Sequence, residues 1–387
     1  MRAPDYLYFS LDEYAARLRG LRNRMQERSI QALIVTTPEN IFYLSGYQTP
    51  GYYWSMALIV FLDREPVLVP PPHEESLVSA FCVFEEYQTY RDTADWISVT
   101  SEVIKTGRAG TARIAYEAES WFMRIGEFGR LQAALPDAVL VDGSGLVESG
   151  RLIKSPAEIC YIREASVASQ AGMRAGIDAV AVGATENEIA AAVVAAQLEN
   201  GSEYSGLPPF INSGPRTMLV HVTWSGRRVG SDEPVFLEIP GCIHRYHAAM
   251  TRTVWTGSAP DLLRRANETN TDALRLAKAA IKPGVKARTV FERARDRIAA
   301  GDVGYRQGRR VAYGIGIGFP PRWDEGHIMS INDGEERVLR AGMTFHLITT
   351  MRIRGLGAVG CSDTVLVTDS GCETLTSSIE PGVILKP

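Results

Sequence analysis

A glutamate set into an apolar strand is one group in this chain that could do chemistry. Pro234-Val235-Phe236-Leu237-Glu238-Ile239 alternates so that Phe236 and Glu238 share one face while Val235, Leu237 and Ile239 share the other. A carboxylate there is costly unless it is paired or used. A solvated strand face is the plainer reading, and residue types alone favour it. Downstream, Gly241 suggests a turn between two strands, followed by His244, His247 and Arg252. The i, i+3 spacing of the two histidines suits a helix, but on a strand they point to opposite faces. A two-histidine metal site is therefore not expected; one of the pair is expected in a pocket and the other in a structural role. His221, within Met218-Leu219-Val220-His221-Val222-Thr223-Trp224, reads first as a core histidine. It becomes a general acid or base if Glu238 lies nearby.

Two further segments carry chemistry-bearing side chains. Val311 to His327 is rich in glycine, but no helix follows, so it is not a dinucleotide fingerprint. Its alternating Gly314, Gly316 and Gly318 fit a strand closely approached by another backbone or by a ligand. Trp323, Glu325 and His327 supply stacking, charge and hydrogen bonding; a surface loop with an aromatic lid over the core is the bland alternative. In Tyr47-Gln48-Thr49-Pro50-Gly51-Tyr52-Tyr53-Trp54, three adjacent aromatics sit in a Pro/Gly loop. They suit core filling, a dimer contact, or an aromatic wall for a cationic ligand.

The elements that position these groups follow an α/β pattern. Leu18, Leu21 and Met25 form a stripe on a helix from Leu11 to Met25, with Ser10 or Asp12 as cap. Ala32 to Val35, Met56 to Leu62 and Val67 to Val69 read as strands, and Val103-Ile104, Ile114 and Val139 to Val141 continue the series. Ser155, Pro156 and Glu158 form a capping box at the start of a helix reaching about Ala179, and Thr185 with Glu188 opens another to Asn200. Strands dominate from Phe210 to Val254, helices are expected over 260–282 and 287–300, and strand and turn follow to Val367. The 387 residues carry 45% hydrophobic and 22% charged side chains and a net charge of -4. That balance suits a soluble globular chain of two or three domains. It gives no basic footprint for nucleic acid and no stretch for a membrane. Five scattered cysteines and no leader-like N-terminus suggest reduced thiols in the cytoplasm.

Together these segments resemble the creatinase/methionine-aminopeptidase superfamily over nearly the whole chain. The resemblance is carried by Asn40-Ile41-Phe42-Tyr43-Leu44-Ser45-Gly46 and Lys154-Ser155-Pro156-Ala157-Glu158-Ile159. Thr251-Arg252-Thr253, Leu339 to Met343 and Asp363 to Thr368 follow in order. Each is weak alone; five in order are strong. The implied fold is an N-terminal creatinase-like α/β domain over 1–150 and a C-terminal pita-bread (α+β) catalytic domain over 151–387. Metal-dependent members carry Asp, Asp, His, Glu and Glu where this sequence has Glu238, Ala249, Tyr313, Ile348 and Ser362. A hard divalent ion needs several converging oxygen or imidazole donors, and Ala and Ile offer none. The resemblance thus implies a retained pocket without a metal or other cofactor, in which side chains do the chemistry.

Within the superfamily the chain is most similar to the ectoine hydrolase family, through Gly46 to Trp54, Gly201 to Tyr204, Phe236 to Glu238, Arg245 to His247, Pro320 to Trp323 and Gly342 to His346. That likeness implies a homodimer hydrolysing the cyclic amidine ectoine, or hydroxyectoine, to an N-acetylated 2,4-diaminobutyrate. Glu238 would attack the ring carbon and His221 would act as acid and base. Tyr52, Trp54, Tyr204, Trp224, His247, Trp323 and Glu325 are the implied substrate contacts, with Arg252 or Arg322 on the carboxylate. The Tyr52 to Trp54 loop would act on the partner's site. Pro70 to Glu75, Arg322 with Asp324, and Leu347 to Arg352 depart from the family pattern at the expected rim. A creatinase-like amidinohydrolase and a non-catalytic binder of small molecules remain as alternatives; a metallopeptidase ranks last.

Overall fold

The computed structural model describes residues 1–91, 95–303, 308 and 310–387. It divides into two compact units, Met1–Arg151 and Leu152–Pro387.

In the first unit, α1 (Leu11–Glu27) buries Tyr14, Leu18, Leu21 and Met25 along one stripe, and Ser10 Oγ caps it by accepting from the Glu13 amide. Then come β1 (Ala32–Val35), α2 (Pro38–Ser45), β2 (Ala57–Phe61), β3 (Val67–Val69), α3 (Glu75–Phe81), α4 (Trp96–Thr106), β4 (Arg113–Tyr116), α5 (Ile125–Ala134), β5 (Val139–Asp142) and α6 (Glu148–Arg151). The sheet order is β3-β2-β1-β4-β5, antiparallel through the first three strands and parallel through the last three. Val103 and Ile104 belong to α4 rather than to a strand. Their partners on the buried stripe are Trp96 and Ile97, a helical period that two adjacent apolar residues cannot reveal.

The second unit opens with α7 (Pro156–Ala179) and α8 (Glu186–Glu199), and both capping boxes are formed reciprocally. After β6 (Phe210–Ser213) comes the hairpin of β7 (Glu233–Ile243) and β8 (Tyr246–Thr256). Then follow α9 (Asp261–Ala280), α10 (Ala287–Ala300), β9 (Arg310–Gly314), β10 (Ser330–Asn332), β11 (Thr344–Ile353), β12 (Gly357–Val367), β13 (Cys372–Thr374) and β14 (Val383–Lys386). The sheet runs β10-β9-β11-β12-β8-β7-β6, with β13 on β12 and β14 on β8. Val235, Leu237 and Ile239 pack with Met173, Ile189 and Val193 of the helices, each contributing roughly 1.5–3 kcal/mol of burial. Phe236 and Glu238 are left on the opposite face.

The hairpin turn is not at Gly241. It is the two-residue His244-Arg245, both at positive φ (45° and 65°), between paired Ile243 and Tyr246. Gly241 lies inside β7, where a Cβ would stand 2.0 Å from the Ala165 carbonyl of α7. Among the described residues no helix is long and apolar enough to cross a membrane. Of the five cysteines, all free, Cys82, Cys242 and Cys361 are buried, Cys372 is intermediate and Cys160 is exposed.

Candidate active site

On the face of the sheet turned away from the helices lies a cavity of about 270 Å³. Phe236 and Glu238 reach it from β7, Arg310 and Tyr313 from β9, and Ile348, Thr350 and Arg352 from β11 by strand alternation. Phe210 and Asn212 of β6, Trp323 of the glycine-rich loop and exposed His221 complete the wall. Phe210 joins the aromatic side, its ring centroid 5.5 Å from that of Trp323 and 6.0 Å from that of His221.

Glu238 forms no side-chain hydrogen bond or ion pair with any described residue. Burial raises its pKa to about 7, against the opposing pull of Arg352 and then Arg310. Arg352 donates through Nε to the Thr217 carbonyl at 3.2 Å and lies 5.9 Å from the Phe236 centroid. Arg310 lies 4.9 Å from the Tyr313 centroid and has no carboxylate partner among the described residues. Two other wall residues, Asn212 and Thr350, carry buried oxygens without hydrogen-bond partners among the described residues. With Asp324 also on the wall, the cavity offers two carboxylates, two guanidinium groups and unsatisfied polar oxygens within an aromatic enclosure.

Behind Tyr313 runs a buried polar chain. Trp323 Nε1 donates to the Tyr313 hydroxyl at 3.1 Å, that hydroxyl meets His346 Nδ1 at 2.8 Å, and His346 Nε2 meets Ser362 Oγ at 2.6 Å. Burial, then Arg310, pushes the His346 pKa down to about 3, so the imidazole is neutral. Burial, then Glu238, drives the Tyr313 phenol well above its ordinary value.

These groups do not compose a site for a divalent ion. Of the five ligand positions, Ala249 and Ile348 have no donor atom. The Tyr313 and Ser362 hydroxyls are bonded to His346, and only Glu238 is a carboxylate. Among the described residues no three His, Cys, Asp or Glu side chains cluster to hold a metal.

Of the ten site residues read from the sequence, the cavity brings together Glu238, His221 and Trp323. The other seven lie elsewhere. Arg252 is fully buried on the helix side, bonded to Asp363 and to the carbonyls of Thr251, Ser362, Ile379 and Glu380. Those bonds occupy its guanidinium and leave no fork for a substrate. His247 is buried and neutral: Nε2 accepts from the Gly206 amide at 3.0 Å, Nδ1 donates to the Arg245 carbonyl, and burial lowers its pKa to about 3. His244 sits in the hairpin turn beside Glu203, so neither histidine lines the cavity. Glu325 is buried in an ion pair with Lys154 at 2.6 Å. Its carboxylate, with the backbone of Arg322 and Trp323, explains Gly316 and Gly318: the close neighbour is the chain's own loop. Tyr204 stacks on the Arg245 guanidinium at 4.1 Å, and Trp224 packs against the core beside α8. Tyr52 and Trp54 belong to the first unit, where Tyr52 meets Phe122 edge-on and Trp54 is exposed; every lining residue of the cavity belongs to the second. Arg322 bonds His327 Nδ1 at 2.9 Å and does not line the cavity.

Arg310, Tyr313 and Arg352 were not read as binding groups from the sequence, nor was the chain through His346. The available signal was alternation on β11, which puts Arg352 on the face of Ile348 and Thr350.

Comparison with known proteins agrees with this architecture. Residues 160–369 match the model of metallopeptidase family M24, and residues 17–153 match the creatinase/prolidase N-terminal domain. The chain is similar to an uncharacterized hydrolase/peptidase of Sinorhizobium fredii (29% identity, 96% of this chain and 97% of that protein). It is equally similar to the ectoine hydrolase of Halomonas elongata (29%, covering 95% and 96%). A Xaa-Pro dipeptidase of Pyrococcus furiosus follows at 27%, covering 94% and 98%. Among solved structures, a prolidase from Thermococcus sibiricus superposes with a TM-score of 0.86 at 21% identity, over 97% of this chain and 100% of that one, a likeness of fold. With a creatinase-type first unit and a pita-bread second unit matched over most of its length, the chain belongs to metallopeptidase family M24.

Proposed function

We propose that this chain is a metal-independent hydrolase that opens the cyclic amidine ring of a small zwitterion of the ectoine type. The observation that carries the reading is the unpaired Glu238 carboxylate in an aromatic-walled cavity that also holds Arg310 and Arg352. An amidinium that also bears a carboxylate complements both signs of charge. A delocalised cation beside aromatic faces gains further attraction. The ectoine hydrolase of Halomonas elongata, similar over nearly the full length, supports this substrate class. Peptide cleavage in a pita-bread site by a metal-activated water needs donors that Ala249 and Ile348 do not supply.

In this reading Glu238 pairs with the amidinium and adds through one oxygen to the carbon between the two ring nitrogens. His221, exposed at the rim, protonates the departing nitrogen. Water then adds to the same carbon, releases Glu238 and leaves an N-acetyl amide. Trp323 and Phe210 pack on the ring. The reading includes a homodimer in a reducing compartment, with the Tyr52 to Trp54 loop contributing to the partner's site; a monomer in sedimentation would remove that part.

Proton NMR of chelator-treated protein incubated with ectoine tests the reading. Loss of the ring methyl signal with growth of an N-acetyl signal supports it. Unchanged ectoine in the presence of folded protein, or peptide cleavage restored by added divalent metal, overturns it.

A further inference from the structure

Each nitrogen of His346 faces a hydroxyl, Tyr313 at 2.8 Å and Ser362 at 2.6 Å. A hydroxyl both donates and accepts, so two hydrogen arrangements fit the same heavy atoms. In one, Tyr313 donates to Nδ1 and Nε2–H donates to Ser362. In the other, Ser362 donates to Nε2 and Nδ1–H donates to Tyr313. We propose that Tyr313, His346 and Ser362 form a proton relay, in which a neutral imidazole passes protons between the cavity wall and the hydroxyls beside Glu238.

The interconversion balances. A proton enters at the Tyr313 oxygen, the Tyr313 hydroxyl proton moves to Nδ1, the Nε2 proton moves to Ser362 Oγ, and the Ser362 proton leaves. No imidazolium forms along the way, which suits a ring whose burial makes protonation costly. The Trp323 Nε1–H donates to the Tyr313 oxygen in both arrangements and steadies it while protons move. At the far end, register supplies the continuation: Ser362 lies opposite Thr251, and Thr251 lies opposite Glu238. Directly opposed side chains share a face about 4.5–5.5 Å apart. The Thr251 hydroxyl is buried and has no hydrogen-bond partner among the described residues. By register it stands between Ser362 and Glu238 but bonds neither as placed, so a rotation of its side chain must complete the path.

The use of the relay rests on the amidine-hydrolase reading. Water that releases Glu238 from the ring carbon must shed two protons. One goes to His221, restoring the acid that protonated the departing nitrogen. The other enters at Tyr313, passes through His346 to Ser362, and reaches the freed Glu238 carboxylate once the Thr251 hydroxyl rotates to bridge the two. The product amine takes that proton before it departs.

The test uses the full chain with 15N-labelled histidine rings, the His346 signals being assigned by their loss in His346→Gln. Both ring nitrogens are expected midway between the protonated and bare positions, unchanged between about pH 8 and about pH 5. In Ser362→Ala the averaging should collapse to one tautomer with the fold intact by circular dichroism. A single fixed tautomer in the unmodified chain overturns the relay, whatever the activity. During ectoine turnover, the rate across mixtures of light and heavy water should curve, becoming linear in Ser362→Ala with kcat down about a hundredfold and KM little changed. A straight dependence in the unmodified chain overturns the catalytic use of the relay. Averaged tautomers without ectoine turnover would leave the relay standing and sink the substrate reading; turnover with one fixed tautomer would do the reverse.

Discussion

Replacing Glu238 by Gln should abolish turnover and stabilise the fold, and the stabilisation should depend on pH. In the folded chain this carboxyl loses its proton near about 7, against 4.5 for an ordinary glutamate. Between those values the folded state holds the proton more tightly than the unfolded state does. Stability contributed by this position therefore falls as pH rises, and the loss is complete above the folded value. It amounts to roughly 3 kcal/mol, the cost of keeping a charged group where burial opposes it. Gln fits the same space without charge. At about pH 8 the variant should be more stable by up to that amount, less whatever its amide fails to bond. At about pH 4 the advantage should vanish, because both side chains are then neutral in both states. Denaturant unfolding of the full chain at the two pH values measures this, read on the transition of the second unit. A variant that is less stable at high pH, or equally shifted at both, refutes a desolvated carboxylate at Glu238. Turnover of ectoine should fall at least about a hundredfold in the same protein.

Three other perturbations separate binding from scaffolding. Arg352→Ala removes the strongest pull against burial at Glu238, so the midpoint of the rising limb of kcat/KM should move to higher pH and KM for a carboxylate-bearing substrate should increase; an unmoved midpoint excludes this role. Arg252→Ala leaves buried Asp363 with Lys278 and Thr376 alone and should cost about 3–5 kcal/mol in denaturant unfolding; normal stability with a selectively raised KM would return Arg252 to the binding groups. Gly241→Ala drives a methyl against the Ala165 carbonyl and should cost at least about 2 kcal/mol in thermal unfolding, with a neutral result showing that α7 can retreat from the strand.

The fold was legible where short-range chemistry marks it. Ser155 with Glu158 and Thr185 with Glu188 announce the starts of α7 and α8, because each box satisfies backbone donors within one turn. Glu238 was legible as well, since alternation needs only its five neighbours. Arg310 was not: β9 and β7 are brought to one cavity by a sheet whose order is β9-β11-β12-β8-β7, and no local pattern encodes that closure. The Tyr313, His346 and Ser362 chain spans three strands for the same reason.

Arg252 shows how one local error propagates through a sheet. The hairpin register pairs Glu238 with Thr251 and Leu237 with Arg252. Directly paired residues share a face, so Arg252 follows Leu237 towards the helices and Thr251 follows Glu238 towards the site. A turn at Gly241 hides that parity, whereas the two-residue turn at His244-Arg245 fixes it. Glycine was the misleading signal, because two quite different demands select it. A tight turn calls for positive φ, which His244 and Arg245 supply here without glycine, while Gly241 answers only the approach of α7. Once the turn is placed, pairing alone separates the guanidinium that braces Asp363 from the hydroxyl that faces Glu238. The face on which a polar residue lies then weighs more than its chemical type in deciding whether it binds or braces.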